Sequence, residues 1–310
     1  MIKVSVILTT YNIQEYIKES IESLIAQEFE NYEIIIVDDD STDETFNIVQ
    51  KYAKKFDFIN AYQIDHSFVG KARNYALEKA KGEYVIFLDG DDVFDSCLLY
   101  KMYQKAKKEN SDVVICASCE FEKEKTNIKK YHSLIGKYPI GWASDKLIRK
   151  RLLEKYNLKF SEFYSSEDLI VGFGSYFLSE KVSRVNDYLL YRRIRQDSVS
   201  KNRDTKNAFV ALLELKEKLI QAQKFNELKN DFQNIAINFI RWHFVSIGKL
   251  RLKEEIWHYI RFFENELDIL RIQKVEYEKA YKFHLSVLKS KNFKQFIIMF
   301  YFRKIFGMGL

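Results

Sequence analysis

The segment "EYVIFLDGDDVFD", residues 83–95, runs from Tyr84 to Leu88 without a polar side chain and then breaks into Asp89-Gly90-Asp91-Asp92. A short apolar run rich in β-branched and aromatic residues, stopped by a turn, reads as a buried strand. Three carboxylates crowded at its end repel one another unless something positive sits among them. The candidates are a hard divalent cation, a set of lysines and arginines, or solvent at a loop tip.

Working outward, the same layout recurs. "KVSVILTT" is a β-branched strand ending at polar residues; Asn12 and Glu15 stand at capping-box spacing before a helix striped by Ile13, Ile17, Ile21 and Leu24. "YEIIIVDD" is a second strand, followed by Ser41 and Glu44 at the same spacing and a helix lined by Phe46, Val49 and Ala53. "FINAYQI" is a third strand, "GKARNYALEKAKG" a helix closed by Gly82, and "DVVICAS" a strand beyond the quoted one. Repeated βα units build a mostly parallel sheet with helices on both faces. In such sheets ligands bind beyond the carboxyl ends of the strands. The polar clusters Thr9 to Asn12, Asp38 to Asp43 and Asp89 to Asp92 all lie at such ends.

Composition narrows the class. The chain has 310 residues, 47% apolar and 30% charged, one proline and ten glycines, which suits a folded α/β domain with over a hundred residues to spare. A net charge of +6 and the lack of any nucleic-acid-reading signature give no reason to expect a nucleic-acid partner. Three cysteines without a cleavable leader read as a reducing, cytoplasmic compartment. Cys116 and Cys119 have the spacing of a zinc or redox pair, but no second pair follows, and two buried thiols is the expected reading.

Each polar cluster has a plain and a chemical reading. Asp89-x-Asp91 is either a solvated acidic turn or a pair of oxygen ligands for Mg²⁺ or Mn²⁺. Asp39, unlike Ser41 and Glu44, has no capping role and can accept from a pyrimidine N–H or a ribose hydroxyl. In "HSFVGKARNYAL", Lys71 and Arg73 with Gly70 at a helix start suit phosphate, or are ordinary surface charges. "SSEDL" reads as a helix N-terminus, Ser165 or Ser166 capping, with Glu167 and Asp168 favoured by the helix dipole.

Seven segments stand in one order: "VSVILTTYN", "IIIVDDDSTDET", "GKARNYAL", "VIFLDGDD", "W-x-x-D-K-L-I-R-K-R-L-L", "SSEDL" and "LLYRRIRQDSVS". Their order and spacing resemble the inverting glycosyltransferases of family 2, bacterial surface-glycan type, over residues 1 to 200. The resemblance implies a GT-A fold: an α/β, mostly parallel sheet flanked by helices, with a catalytic domain at 1–205. Residues 1–120 would be its nucleotide-sugar half and 121–205 its acceptor-side half. Residues 206–310, whose periodicity is helical, would form a C-terminal helical subdomain.

Carried over by position, the resemblance implies that Thr9 and Tyr11 flank the nucleotide base and Asp39 binds uracil. Arg73 lies near the nucleotide and its diphosphate, and Asp89 with Asp91 holds a divalent cation, Mn²⁺ or Mg²⁺, supported by Asp92. Asp168 is the general base, with Glu167 beside it. Arg193, Ser198 and Ser200 belong to a loop closing over the diphosphate. The implied reaction moves a sugar from a nucleotide-diphosphate donor, UDP-linked, to a hydroxyl of a glycan or lipid-linked glycan, as in lipopolysaccharide or capsule synthesis. A catalytically silent nucleotide-sugar-binding or scaffold protein of the same fold is the alternative. Thr9 stands where a proline is usual in the family, and "NFIRW" (238–242) carries Asn where processive synthases have Gln.

Residues 281–310 hold six Lys or Arg and no acidic residue around "FIIMFYF" (296–302), too short to span a bilayer. A basic, aromatic helix of this kind lies on the inner-membrane surface, packs on its own domain or joins a homo-oligomer. The first option makes the protein cytoplasmic and peripheral on the membrane's cytoplasmic face. The turns after the first strand lack the glycine-rich loop of a nucleotidyltransferase and the G-x-G-x-x-G of a dehydrogenase.

Overall fold

The computed structural model describes residues 1–122, 141–162, 166–195 and 205–232, the short stretches 129–131, 134–135 and 138–139, and residue 235. Ser198, Ser200, the "NFIRW" segment and the basic stretch 281–310 lie outside the described residues. The chain divides into two units, Met1–Leu228 and Lys229–Leu310. Of the second, only residues 229–232 and 235 are described.

The first unit opens as the pattern predicts: β1 (Val4–Thr10), α1 (Ile17–Ile25), β2 (Tyr32–Asp38), α2 (Thr45–Lys55), β3 (Ile59–Gln63), α3 (Phe68–Lys79) and β4 (Tyr84–Asp89). Then follow β5 (Val93–Phe94), α4 (Leu98–Glu109), β6 (Val113–Phe121) and the short β7 (Lys129–Tyr131), β8 (Leu134–Ile135) and β9 (Tyr138–Pro139). β10 (Lys146–Arg149), α5 (Lys150–Lys155), α6 (Leu169–Leu178), β11 (Val182–Arg193) and α7 (Thr205–Gln221) complete it.

The main sheet runs β3-β2-β1-β4-β10-β6-β11-β5, with β7 on β6. β1 to β4 are parallel in register, Thr9 opposite both Val37 and Asp89. β10 enters antiparallel between β4 and β6, and β11 runs parallel to β6, so the sheet is mixed. Both faces of β1, β2 and β4 are buried, which is why these strands read as unbroken apolar runs rather than alternating ones. Cys116 and Cys119 are both buried on β6. An odd spacing on a strand points them to opposite faces, so they do not form a joint chelate.

Three expected caps differ. α1 starts at Ile17 and α2 at Thr45, neither with a side-chain cap. Asn12 instead ties two loops: its N–H donates to Ser41 Oγ (2.9 Å) and its Oδ1 accepts from Thr42 N (2.8 Å). A long-range partner outbids the local box. Gly82 does not close α3, which ends in an extended Ala80. A Cβ at Gly82 would fall 2.5 Å from Ser5 N, so this glycine lets the turn before β4 lie on β1.

Among the described residues no helix is long and apolar enough to cross a membrane.

Candidate active site

The strand ends of β1, β2 and β4 bring the predicted polar clusters together at one rim. Gly90 makes that approach feasible: its N–H donates to Thr9 O at 3.1 Å, and a Cβ there would meet Ile13 Cδ1 at 2.7 Å and Thr10 Cγ2 at 2.9 Å. Asp38, fully buried, accepts from Thr10 Oγ1, Ser41 N, Ser41 Oγ and Gln63 Nε2, and so pins three loops. Thr9 is buried beside it as part of the scaffold.

Asp39 turns the other way. Its Oδ1 accepts from Ser67 N (2.8 Å) and Ser67 Oγ (3.2 Å), and its Oδ2 lies 3.1 Å from His66 Nδ1. The His66 ring stacks on exposed Tyr11 with centroids 4.6 Å apart. Tyr11, Asp39 and His66 thus form one aromatic and acidic wall. His66 was not singled out from the sequence, although it follows β3 at the same kind of strand end as the other clusters.

Arg73, on α3, is 4% exposed. Its Nη2 donates to Asp89 Oδ1 at 2.6 Å and its Nη1 to Glu167 Oε1 at 3.0 Å, while its guanidinium lies over the Phe160 ring at 5.1 Å. Burial opposes its charge, but the carboxylates of Asp89, Asp168 and Glu167 outweigh burial and hold the guanidinium above its ordinary range. Burial, and then the charge of Asp168, pushes the Glu167 carboxyl up to about 8 against the pull of Arg73. Arg73 therefore joins the aspartate loop to the segment that carries Asp168.

That segment is under backbone constraint. Ser166, just before Glu167, has φ +66°, as Asn12, Asp40 and Phe68 do at +48°, +65° and +69°. Left-handed conformations in non-glycine residues store strain that surrounding structure must impose, and they gather at functional sites. Asp168 is itself the N-cap residue of α6, without a capping side-chain bond. Its Oδ2 accepts from Ala143 N at 3.3 Å, in the turn that leads into β10.

Asp91 and Asp92 meet the end of β11. Asp92 is buried and accepts from Arg193 N (2.8 Å), and Arg193 Nε donates to Asp91 O (2.9 Å). Arg193 continues to Glu19 and lies over the Tyr16 and Phe121 rings. It braces the loop from behind. Arg195 Nε lies 2.6 Å from Asp91 Oδ2. Arg193 closes β11 and Arg195 lies two residues beyond it, and both guanidiniums lie over Tyr16. That spacing was the available signal for Arg195, which was not singled out. Burial raises the Asp91 carboxyl against Arg195, and raises Asp92 well above the ordinary range, with Asp91 and Asp89 adding repulsion.

Basic side chains do stand among these carboxylates: Arg73 on Asp89 and Arg195 on Asp91. Among the described residues no three His, Cys, Asp or Glu side chains gather in a metal-holding group. The rim can seat a base against Tyr11 and His66, an anion near Arg195 and a hydroxyl at Asp168.

Several known proteins are similar to this chain. A cholesterol galactosyltransferase of Borreliella burgdorferi is 29% identical over 274 residues, 80% of this chain and 75% of that protein. The poly(ribitol-phosphate) beta-N-acetylglucosaminyltransferase TarS of Staphylococcus aureus is 30% identical over 211 residues, 64% of this chain and 36% of TarS. This chain thus spans about a third of that relative's length. A crystal structure of S. aureus TarS 1-349 in complex with UDP-GlcNAc matches with a TM-score of 0.68 at 25% identity, covering 82% of this chain and 78% of that one. The fold is therefore the GT-A fold expected from the sequence. The family described as Glycosyl transferase family 2 matches residues 5–176, more than half of the sequence, and the chain belongs to that family.

Proposed function

We propose that the protein transfers a hexose from a UDP-linked donor to a hydroxyl of a glycan or lipid-linked glycan, inverting the anomeric centre, with Asp168 as general base. One observation supports this reading: Arg73 bonds Asp89 and Glu167 at once, so the strand-end aspartates and the base segment are held side by side. The relative crystallised with UDP-GlcNAc supports the UDP donor, and the galactosyl and N-acetylglucosaminyl transferases support a hexose.

In this reading the uracil lies against Tyr11 and His66 and gives its N–H to Asp39. The acceptor hydroxyl loses its proton to Asp168 as its oxygen bonds to the anomeric carbon. The bond from that carbon to the diphosphate breaks on the opposite face, and UDP departs with the electron pair. Ala143 N–H holds the Asp168 carboxylate in place, and Arg73 offsets part of its charge.

The donor set suits a hard divalent cation in kind, two carboxylates to be completed by substrate phosphates. Asp91 and Asp89 are the residues that would hold it, though each now meets an arginine through one oxygen. When bound, such an ion supplies positive charge to the leaving diphosphate.

The test is UDP release from a panel of UDP-sugars with Mg²⁺ or Mn²⁺, wild type against Asp168→Asn. Turnover with one or more donors, lost in the variant while UDP still binds, supports the reading. Binding of UDP without turnover of any UDP-hexose, across sugar and lipid-linked acceptors, would make the protein the silent binder instead.

A further inference from the structure

The turn before β10 holds a tryptophan beside the base. Trp142 is half-buried, and its neighbour Ala143 donates its N–H to Asp168 Oδ2. The indole is therefore mounted one residue from the contact that fixes the base.

Its backbone is held from three sides. Trp142 O accepts from Lys146 Nζ, and Lys146 is fully buried together with its ion-pair partner Asp145. Gly141 lies against α6 so closely that a Cβ on Gly172 would fall 2.0 Å from Gly141 O. A ring carried on backbone this constrained keeps a fixed place relative to Asp168.

One face of the ring is already taken. The Arg192 guanidinium lies 3.7 Å from the indole centroid, a cation–π stack, and Arg192 meets Glu120 at 3.8 Å. Arg192 precedes Arg193, whose N–H sits on Asp92. The residue stacked on the indole is thus next in sequence to the one whose N–H bonds the aspartate loop. Core packing alone does not account for it, since a core tryptophan needs neither partial exposure nor a guanidinium stack. A pyranose has one face of C–H bonds, polarised positive, which matches the negative face of an indole; its hydroxyl rim stays in water.

We infer that Trp142, held by Arg192, is the platform on which the acceptor's sugar ring stacks, presenting a hydroxyl to Asp168. The inference rests on the glycosyltransferase reading above and deepens it. It names a pyranoside acceptor, in preference to a simple alcohol or a sterol hydroxyl. No donor contact is assigned to Trp142.

The experiment uses the full chain with the UDP-hexose that gives turnover. Acceptor probes are n-octyl β-D-glucopyranoside, n-octyl β-D-galactopyranoside and n-octanol. Wild type should use an octyl glycoside in preference to octanol. Trp142→Ala should raise the KM for that glycoside about tenfold, the size of one lost ring contact, with UDP affinity by calorimetry unchanged. Trp142→Phe should recover most of the loss, and Arg192→Gln should fall between. Saturation-transfer NMR should show the glycoside's ring protons contacting wild-type protein and not Trp142→Ala.

Equal glycoside KM in wild type and Trp142→Ala overturns the platform while leaving the glycosyltransferase reading intact. So does a preference for octanol. Absence of turnover with every donor overturns both. If Trp142→Ala does not fold, Trp142→Phe and Arg192→Gln decide: unchanged KM and unchanged NMR contacts in both count against the platform.

Discussion

Arg195 Nε lies 2.6 Å from Asp91 Oδ2, so the carboxylate proposed to bind a cation already has a counter-ion from 104 residues later in the chain. A cation and a guanidinium compete for that oxygen. Chelation with EDTA should remove turnover, and Mn²⁺ should restore it. Arg195→Gln should tighten Mn²⁺ binding in the absence of nucleotide by about tenfold, the scale of one partly exposed charge contact. Electron paramagnetic resonance of free Mn²⁺ reads this directly. Equal affinity in both proteins would show that Arg195 and the ion do not share the site.

Asp168→Asn keeps the shape of the side chain and removes its basicity. Turnover should fall by about a thousandfold, within the range for a lost general base. Calorimetric UDP affinity should hold, because the Tyr11–Asp39–His66 wall lies elsewhere. An unchanged rate removes Asp168 from the role.

Removing Arg73 leaves Asp89 and Glu167 without their shared partner. Arg73→Ala should destabilise the fold by about 3 kcal/mol, the usual cost of stranding one side of a buried ion pair. Urea unfolding measures it, and a loss below about 0.5 kcal/mol would mean that the network contributes specificity rather than stability.

Glu167 gives a pH test. Its folded value of about 8 lies above the ordinary 4.5, so the unfolded chain ionises first as pH rises. The folded state binds more protons over that window. Stability from this group is therefore full below about 4.5 and is lost as pH climbs to about 8. Glu167→Gln cannot ionise and should show a flatter pH profile of urea midpoints between pH 5 and 8. Parallel profiles would sink the assignment.

Among the first four strands, β1, β2 and β4 were legible because each is buried on both faces, which forces continuous β-branched runs such as "EIIIVD" and "YVIFLD". β10 was not. It is a four-residue strand, "KLIR", whose Lys146 and Arg149 are charged yet buried, each satisfied by partners that local sequence does not announce. The aspartates of the site could be read from position alone. Their partners could not: Arg73 reaches Glu167 across 94 residues, and Asn12 abandons its cap for Ser41 on the neighbouring loop. Local periodicity reports burial, while pairing of charges depends on which strand ends the topology makes adjacent.

Gly70, in the first turn of α3, has no room for a methyl group: a Cβ there would fall 2.0 Å from Ser161 O and 3.3 Å from Glu167 Cβ. The distance from α3 to the segment that leads to Asp168 is accordingly fixed by one missing carbon. Even alanine at this position must push α3 and that segment apart, and a displacement on the order of an ångström between reacting groups costs about a hundredfold in rate. The close approach is kept although glycine weakens its own helix by roughly 0.5–1 kcal/mol.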